Sequence, residues 1–172
     1  MIKPVVLYGQ RILREKTTPF EKGSDVKQII QDMMDTMKNA DGAGLAGPQM
    51  NLGKRIFVVD IPFTDLTGAF INPTILKFFK ETMDFDEACL SLPGIHGEVN
   101  RPFKMEMEWY DENWEYHKQT FEGLRSRVLQ HEYDHLEGKL WIDHLDLKHG
   151  MQILNKLADI ENRAIEVNHP TM

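Results

Sequence analysis

The sequence predicts an α+β fold. Three observations predict it. One segment has helical apolar spacing near residues 26–37, a block of strand-like segments spans 55–121, and two further helical segments follow. Strands grouped between helices, with an adjacent hairpin, are the pattern of antiparallel sheet packed against helices rather than of βαβ repeats.

The first helix is expected to start at Ser24 as N-cap, with Val26, Ile29, Ile30, Met33 and Met37 on one apolar face. Asn39 to Gly44 carries its stop signals. Ile56-Phe57-Val58-Val59, within Arg55 to Ile61, reads as a buried strand. Ala69 to Asn72 is a second, closed by Pro73. Phe103, Met105, Met107 and Trp109 alternate with Lys104, Glu106 and Glu108, a period of two that gives a strand with one wet face. Asp111-Glu112-Asn113 is a turn, and Trp114 to Phe121 is the returning strand. Gly123 to Glu137 is a helix ended by Gly138. A last helix is expected over Leu147 to Ile165, with Met151, Leu154, Leu157 and Ile160 inward, and a disordered tail after about Asn168.

No composition shift marks a boundary, so residues 1–172 are expected to form a single catalytic domain. Acidic residues outnumber basic ones by 27 to 20, and this net charge of −7 argues against general affinity for nucleic acid or an anionic membrane. The one cysteine, Cys89, excludes an intramolecular disulfide and suits a reducing compartment. No segment reads as a signal peptide or membrane span, so a cytoplasmic protein is expected.

The chemistry concentrates in His131-Glu132-Tyr133-Asp134-His135. On a helix, residues four apart share a face, so His131 and His135 can grip one metal ion. Glu132 stands beside the first imidazole as a general base for water, the H-E-x-x-H arrangement. The motif leaves the third protein ligand open. Cys89, a distant carboxylate, or one of His96, His117, His144, His149 and His169 are the candidates. Gly42-Ala43-Gly44-Leu45-Ala46-Gly47-Pro48-Gln49 permits close backbone approach, and Gln49 offers an amide donor. It is not a phosphate-binding loop, since no Gly-Lys-Ser/Thr follows. A zinc endopeptidase with a downstream third ligand would share the helix motif.

In this order the segments 42–49, Glu87-Ala88-Cys89-Leu90-Ser91-Leu92-Pro93 and Gln130-His131-Glu132-Tyr133-Asp134-His135-Leu136-Glu137-Gly138 resemble the three signature motifs of the peptide deformylases. The resemblance covers about residues 4 to 147, with Pro4 and Leu13-Arg14 similar to the family's N-terminal region. It implies a metal-dependent hydrolase that removes the formyl group from the N-terminal formyl-methionine of new peptides, releasing formate. It implies Cys89, His131 and His135 as metal ligands, Glu132 as general acid/base, and Gln49 with the Leu90 backbone N–H as oxyanion donors. Fe²⁺ is the ion expected natively, with Zn²⁺ or Ni²⁺ possible in purified protein. N-formylmethionyl peptides, as nascent chains at the ribosome, are the implied partners.

By the same resemblance Gly44 and Leu45 pair with the substrate backbone like an added strand. Leu124, Val128 and the flank of Cys89 are the candidates for the methionine pocket, since one helical turn separates Leu124 from Val128 and another separates Val128 from His131. By the resemblance His96 stands where relatives often hold the peptide with Arg. Arg101 is expected to pair with Glu87. The chain departs from the family pattern at Ala88, where Gly is usual, and at Gly47, where Ala is usual.

Overall fold

A computed structural model describes residues 1–172. Helix α1 spans Lys27–Asn39, followed by strands β1 (Gly44–Ala46), β2 (Ile56–Asp60), β3 (Thr67–Phe78), β4 (Thr82–Ala88), β5 (His96–Pro102), β6 (Lys104–Tyr110) and β7 (Tyr116–Glu122). Helices α2 (Gly123–Leu136) and α3 (Leu147–Glu161) complete the set. Five strands form an antiparallel sheet in the order β1-β2-β3-β6-β7, while β4 and β5 form a separate antiparallel pair.

The apolar run in β2 is sorted by the pleat of the strand. Phe57 and Val59 enter a cluster with Phe70, Met105, Met107 and Phe121. Ile56 and Val58 point the other way, to Met33, Met37, Leu45 and Ile71. The sheet is therefore covered on both faces, by α2 on the first and α1 on the second. Leu129 and Leu136 are the α2 residues buried on the sheet side. A third cluster joins Val6, Leu7, Leu13, Cys89, Leu92, Val99, Trp141, Leu157 and Ile160 beneath the β4–β5 pair. Helix α2 thus has the large sheet on one side and the β4–β5 pair on the other. Its polar side chains lie in the seam between them.

Four sequence expectations are corrected. Ser24 does not cap α1: its hydroxyl donates to Glu21 O at 2.6 Å, and the helix starts after Val26 with no side-chain cap. Pro73 does not close β3, which runs on to Phe78. The strand passes it by an irregularity at Asn72, whose φ is 50° and whose side-chain amide exchanges two 2.9 Å hydrogen bonds with the Phe20 backbone. That amide takes the place of a neighbouring strand. In α3, Leu157 and Ile160 are buried but Met151 and Leu154 are 63% and 57% exposed, and the helix stops at Glu161. The tail is ordered: Thr171 pairs with Val5 in a parallel bridge.

Candidate metal centre and substrate groove

Helix α2 begins at Gly123, whose φ of 61° turns the chain sharply out of β7. One to three turns on, it presents Arg127, His131, Glu132 and His135 toward the β4–β5 pair. Cys89 follows directly on β4. Cys89 Sγ lies 3.3 Å from His135 Nε2, and the sulfur and one nitrogen of each imidazole all lie within 4.8 Å of one another. Two donors bound to one tetrahedral ion at ordinary metal–sulfur and metal–nitrogen lengths stand roughly 3.6 Å apart. The thiol and the two rings therefore fit a single divalent cation. His96, His117, His144, His149 and His169 stand outside this cluster.

Glu87 orients the first imidazole. Its Oε2 is 2.9 Å from His131 Nδ1, so that nitrogen donates and Nε2 is left bare for the cluster. The carboxylate is itself held by Arg101, at 2.6 Å and 3.0 Å, and by Arg127 at 2.8 Å. Arg101 also reaches Asp134 at 2.6 Å. Burial would raise the Glu87 pKa, but the His131 and Arg101 hydrogen bonds win and hold it well below the usual carboxylate range. Burial also pushes the Cys89 thiol up, yet the two imidazoles more than offset it and lower it to about 5, favouring thiolate.

Glu132 is buried, and its Oε2 has no hydrogen-bond partner. Burial pushes its pKa up to about 7, against the pull of His131 and His135. A carboxylate this far from solvent and without a donor stands ready to exchange a proton with whatever enters. Its space depends on Gly44: a Cβ there would lie 2.7 Å from the Glu132 carboxyl carbon.

Gln49 is buried and its two amide ends are sorted by their partners. Oε1 accepts from Ala46 N at 2.9 Å, so Nε2 is turned to Ser91 Oγ at 3.2 Å and Cys89 Sγ at 3.5 Å. The donor end therefore faces the thiol. Leu90 follows Cys89 on the same wall.

These groups open into a cavity of about 460 Å³. Gly44, Gln49, Cys89, Leu90, Leu124, Val128, His131 and Glu132 all line it. Leu45 does not: its side chain is fully buried in the α1 cluster, and only its backbone follows the outer edge of β1. His96 is also absent from the lining, and its ring faces Asp86 at 2.9 Å on the surface. The sequence reading missed Arg127 and Ser91. Arg127 had a signal, since it precedes His131 by four on the same helix face. Ser91 had none.

A helix bearing two imidazoles and a carboxylate, set opposite a thiolate in a groove, defines a metal-dependent hydrolase of the H-E-x-x-H class. The sequence pattern of the polypeptide deformylases matches residues 2–150. The peptide deformylase of Cytophaga hutchinsonii is 40% identical over 93% of this chain and 91% of its own length. That of Christiangramia forsetii is 40% identical over 98% and 94%. The crystal structure of the Thermus thermophilus peptide deformylase superposes with a TM-score of 0.88 at 34% identity, covering 95% of this chain and 99% of that one. The chain belongs to the polypeptide deformylase family, hydrolases that remove N-formyl groups from nascent peptides and depend on a metal ion. No helix is long and apolar enough to cross a membrane.

Proposed function

We propose that residues 1–172 act as one catalytic domain in the cytoplasm, taking formyl-methionyl peptides as they leave the ribosome. Cys89, His131 and His135 hold one divalent ion, Fe²⁺ in the cell, with Zn²⁺ or Ni²⁺ able to replace it. When bound, the ion supplies Lewis acidity that makes water a nucleophile near neutral pH.

The chain's own residues do the rest. The methionine side chain enters between Leu124 and Val128, and the peptide backbone lies along the free edge of β1 at Gly44 and Leu45 as an added strand. Glu132 takes a proton from the attacking water. The water oxygen bonds to the formyl carbon, and negative charge grows on the formyl oxygen. Gln49 Nε2 and the Leu90 N–H donate to that oxygen. The C–N bond then breaks, and Glu132 returns its proton to the departing amine. Formate and a peptide with a free N-terminus leave. His96, turned to Asp86 outside the cavity, has no part in this scheme.

The observation that supports these roles is the meeting of the only thiol with two imidazoles beside an unpartnered, buried Glu132. The test is metal analysis beside formate release from formyl-Met peptides, on protein purified without oxygen. Glu132→Ala is expected to keep the metal and lose nearly all turnover, and Cys89→Ala to lose the metal. Near-normal deformylation by the first, or full metal stoichiometry in the second, refutes the assignment.

A further inference from the structure

The segment beyond α3 has no part in the steps above, yet it reaches the groove. It runs beside residues 5–7. Val5 N–H donates to Pro170 O at 2.8 Å, Met172 N–H to Val5 O at 3.0 Å, and Leu7 N–H to Met172 O at 3.4 Å. The same short stretch holds two parts of the site from its other side: Val6 N–H donates to Gln49 O at 2.8 Å and Tyr8 N–H to Ser91 O at 2.9 Å. Residues 168–172 are thus laced to the strip of backbone that carries Gln49 and the Cys89 loop.

This lacing places Asn168 and His169 in the cavity lining. His169 is 8% exposed, and its Nε2 is buried with no partner. Its Nδ1 lies 3.1 Å from Asn168 Oδ1. Asn168 is exposed, and its amide nitrogen has no protein partner. A buried ring therefore anchors an exposed amide at the groove wall.

The lining divides by neighbour. Phe85, whose ring centroid stands 5.9 Å from the Arg127 guanidinium, lines the cavity together with Leu124 and Val128. The Leu90 side chain comes so close to Gly42 that a Cβ there would lie 2.9 Å from it, and the His169 ring lies against the Leu90 backbone. With a formyl carbon at the metal cluster and an apolar side chain between Leu124 and Val128, the rest of the peptide leaves along the remaining lining, of which Asn168 is an exposed polar member. With its Oδ1 turned to His169, the Asn168 amide keeps its nitrogen free to donate to a peptide carbonyl.

We propose that Asn168 is a substrate-contacting residue for the peptide backbone beyond formyl-methionine, and that His169 is the positioning residue that fixes its amide. This rests on the deformylase reading. The test compares formyl-methionine amide, too short to reach Asn168, with formyl-Met-Ala-Ser. Asn168→Ala changes an exposed side chain and leaves the strap's backbone bonds in place. It is expected to raise KM for the tripeptide about 3–10-fold, the worth of one hydrogen bond, with kcat and the short substrate unchanged. His169→Ala should give the same split, and His169→Gln should restore part of it. Equal effects on both substrates, or none on the tripeptide, overturn the proposal. Calorimetric binding of the product Met-Ala-Ser against methionine amide gives the same comparison without turnover. If the wild type releases no formate from either substrate, the deformylase reading falls. The contact with Asn168 then stands or falls on whether Asn168→Ala weakens tripeptide binding alone.

Discussion

Two glycines in the first motif show how single atoms set the site. A Cβ on Gly44 would overlap the Glu132 side chain, with its carboxyl carbon at 2.7 Å and its Cγ at 2.8 Å. That backbone is an edge of the sheet and cannot retreat without breaking its pairing with Val59. Gly44→Ala is therefore expected to displace Glu132 and lower kcat by about 10²-fold while metal content holds, because small misplacements of a reacting group cost that much. Wild-type kcat in this variant would show that the carboxylate has room to move. Gly47 answers a different question. Relatives usually carry Ala there, but in this chain a Cβ would meet Lys54 O at 2.6 Å and Leu52 O at 2.9 Å. The backbone of residues 52–54 packs against this position and leaves no room for a side chain. Ala88, the other departure, lines the cavity and is exposed.

At the scale of the element, α2 works by facing two ways. Its apolar residues seal the sheet, and its polar face places Arg127, His131 and His135 against Glu87 and Cys89 from the other layer. Glu87 is the meeting point, with two guanidinium groups and one imidazole on a single buried carboxylate. Glu87→Gln keeps the shape and removes the charge. Metal affinity is expected to fall about 10–100-fold, as for loss of an orienting partner behind a ligand, and the melting temperature to fall with it. Chelator competition and thermal unfolding read the two effects. Unchanged affinity would mean that His131 is oriented by the helix alone.

The same scale explains what the sequence concealed. The β2 run, the β6–β7 alternation and the H-E-x-x-H helix were legible because their apolar or chemical periods match their geometry. Strands β4 and β5 were not. The residues they bury most are Glu87, Val99 and Arg101, and most of the others are exposed, so no apolar alternation betrays them. Their inward face is charged because it is part of the site. In α3 the apolar spacing continues past what the body of the protein can cover, and Met151 and Leu154 remain in solvent. The tail was illegible because backbone bonds hold it, and these carry no side-chain signature. The third ligand was left open by the helix motif. The resemblance singled out Cys89, and in the fold its sulfur lies against the two imidazoles.

For the whole molecule, several carboxylates are held below their ordinary range in the folded state. Opposing burial in each case, Glu87 is held by His131 and Arg101, Asp111 by His117, Asp134 by His144 and Arg101, and Glu137 by Lys16 and Arg55. The unfolded chain binds protons at these groups first as pH falls, so their contribution is present above the unfolded values near about 4 and lost below them. Between neutral pH and about 5, Glu132 and Cys89 titrate with opposite effects on stability, so these carboxylate pairs are read below that window, where urea midpoints are expected to drop steeply. A midpoint that stays level through pH 3 would remove these pairs from the account of stability.

The pairing of residues 5–7 with 170–172 has a practical corollary for handling this enzyme. An affinity tag attached after Met172 would emerge beside Leu7 and pull on the backbone bonds that hold the segment carrying Asn168 and His169 against the cavity. One attached before Met1 would emerge at Asp32 and Asp35 on α1, on the far face of the sheet.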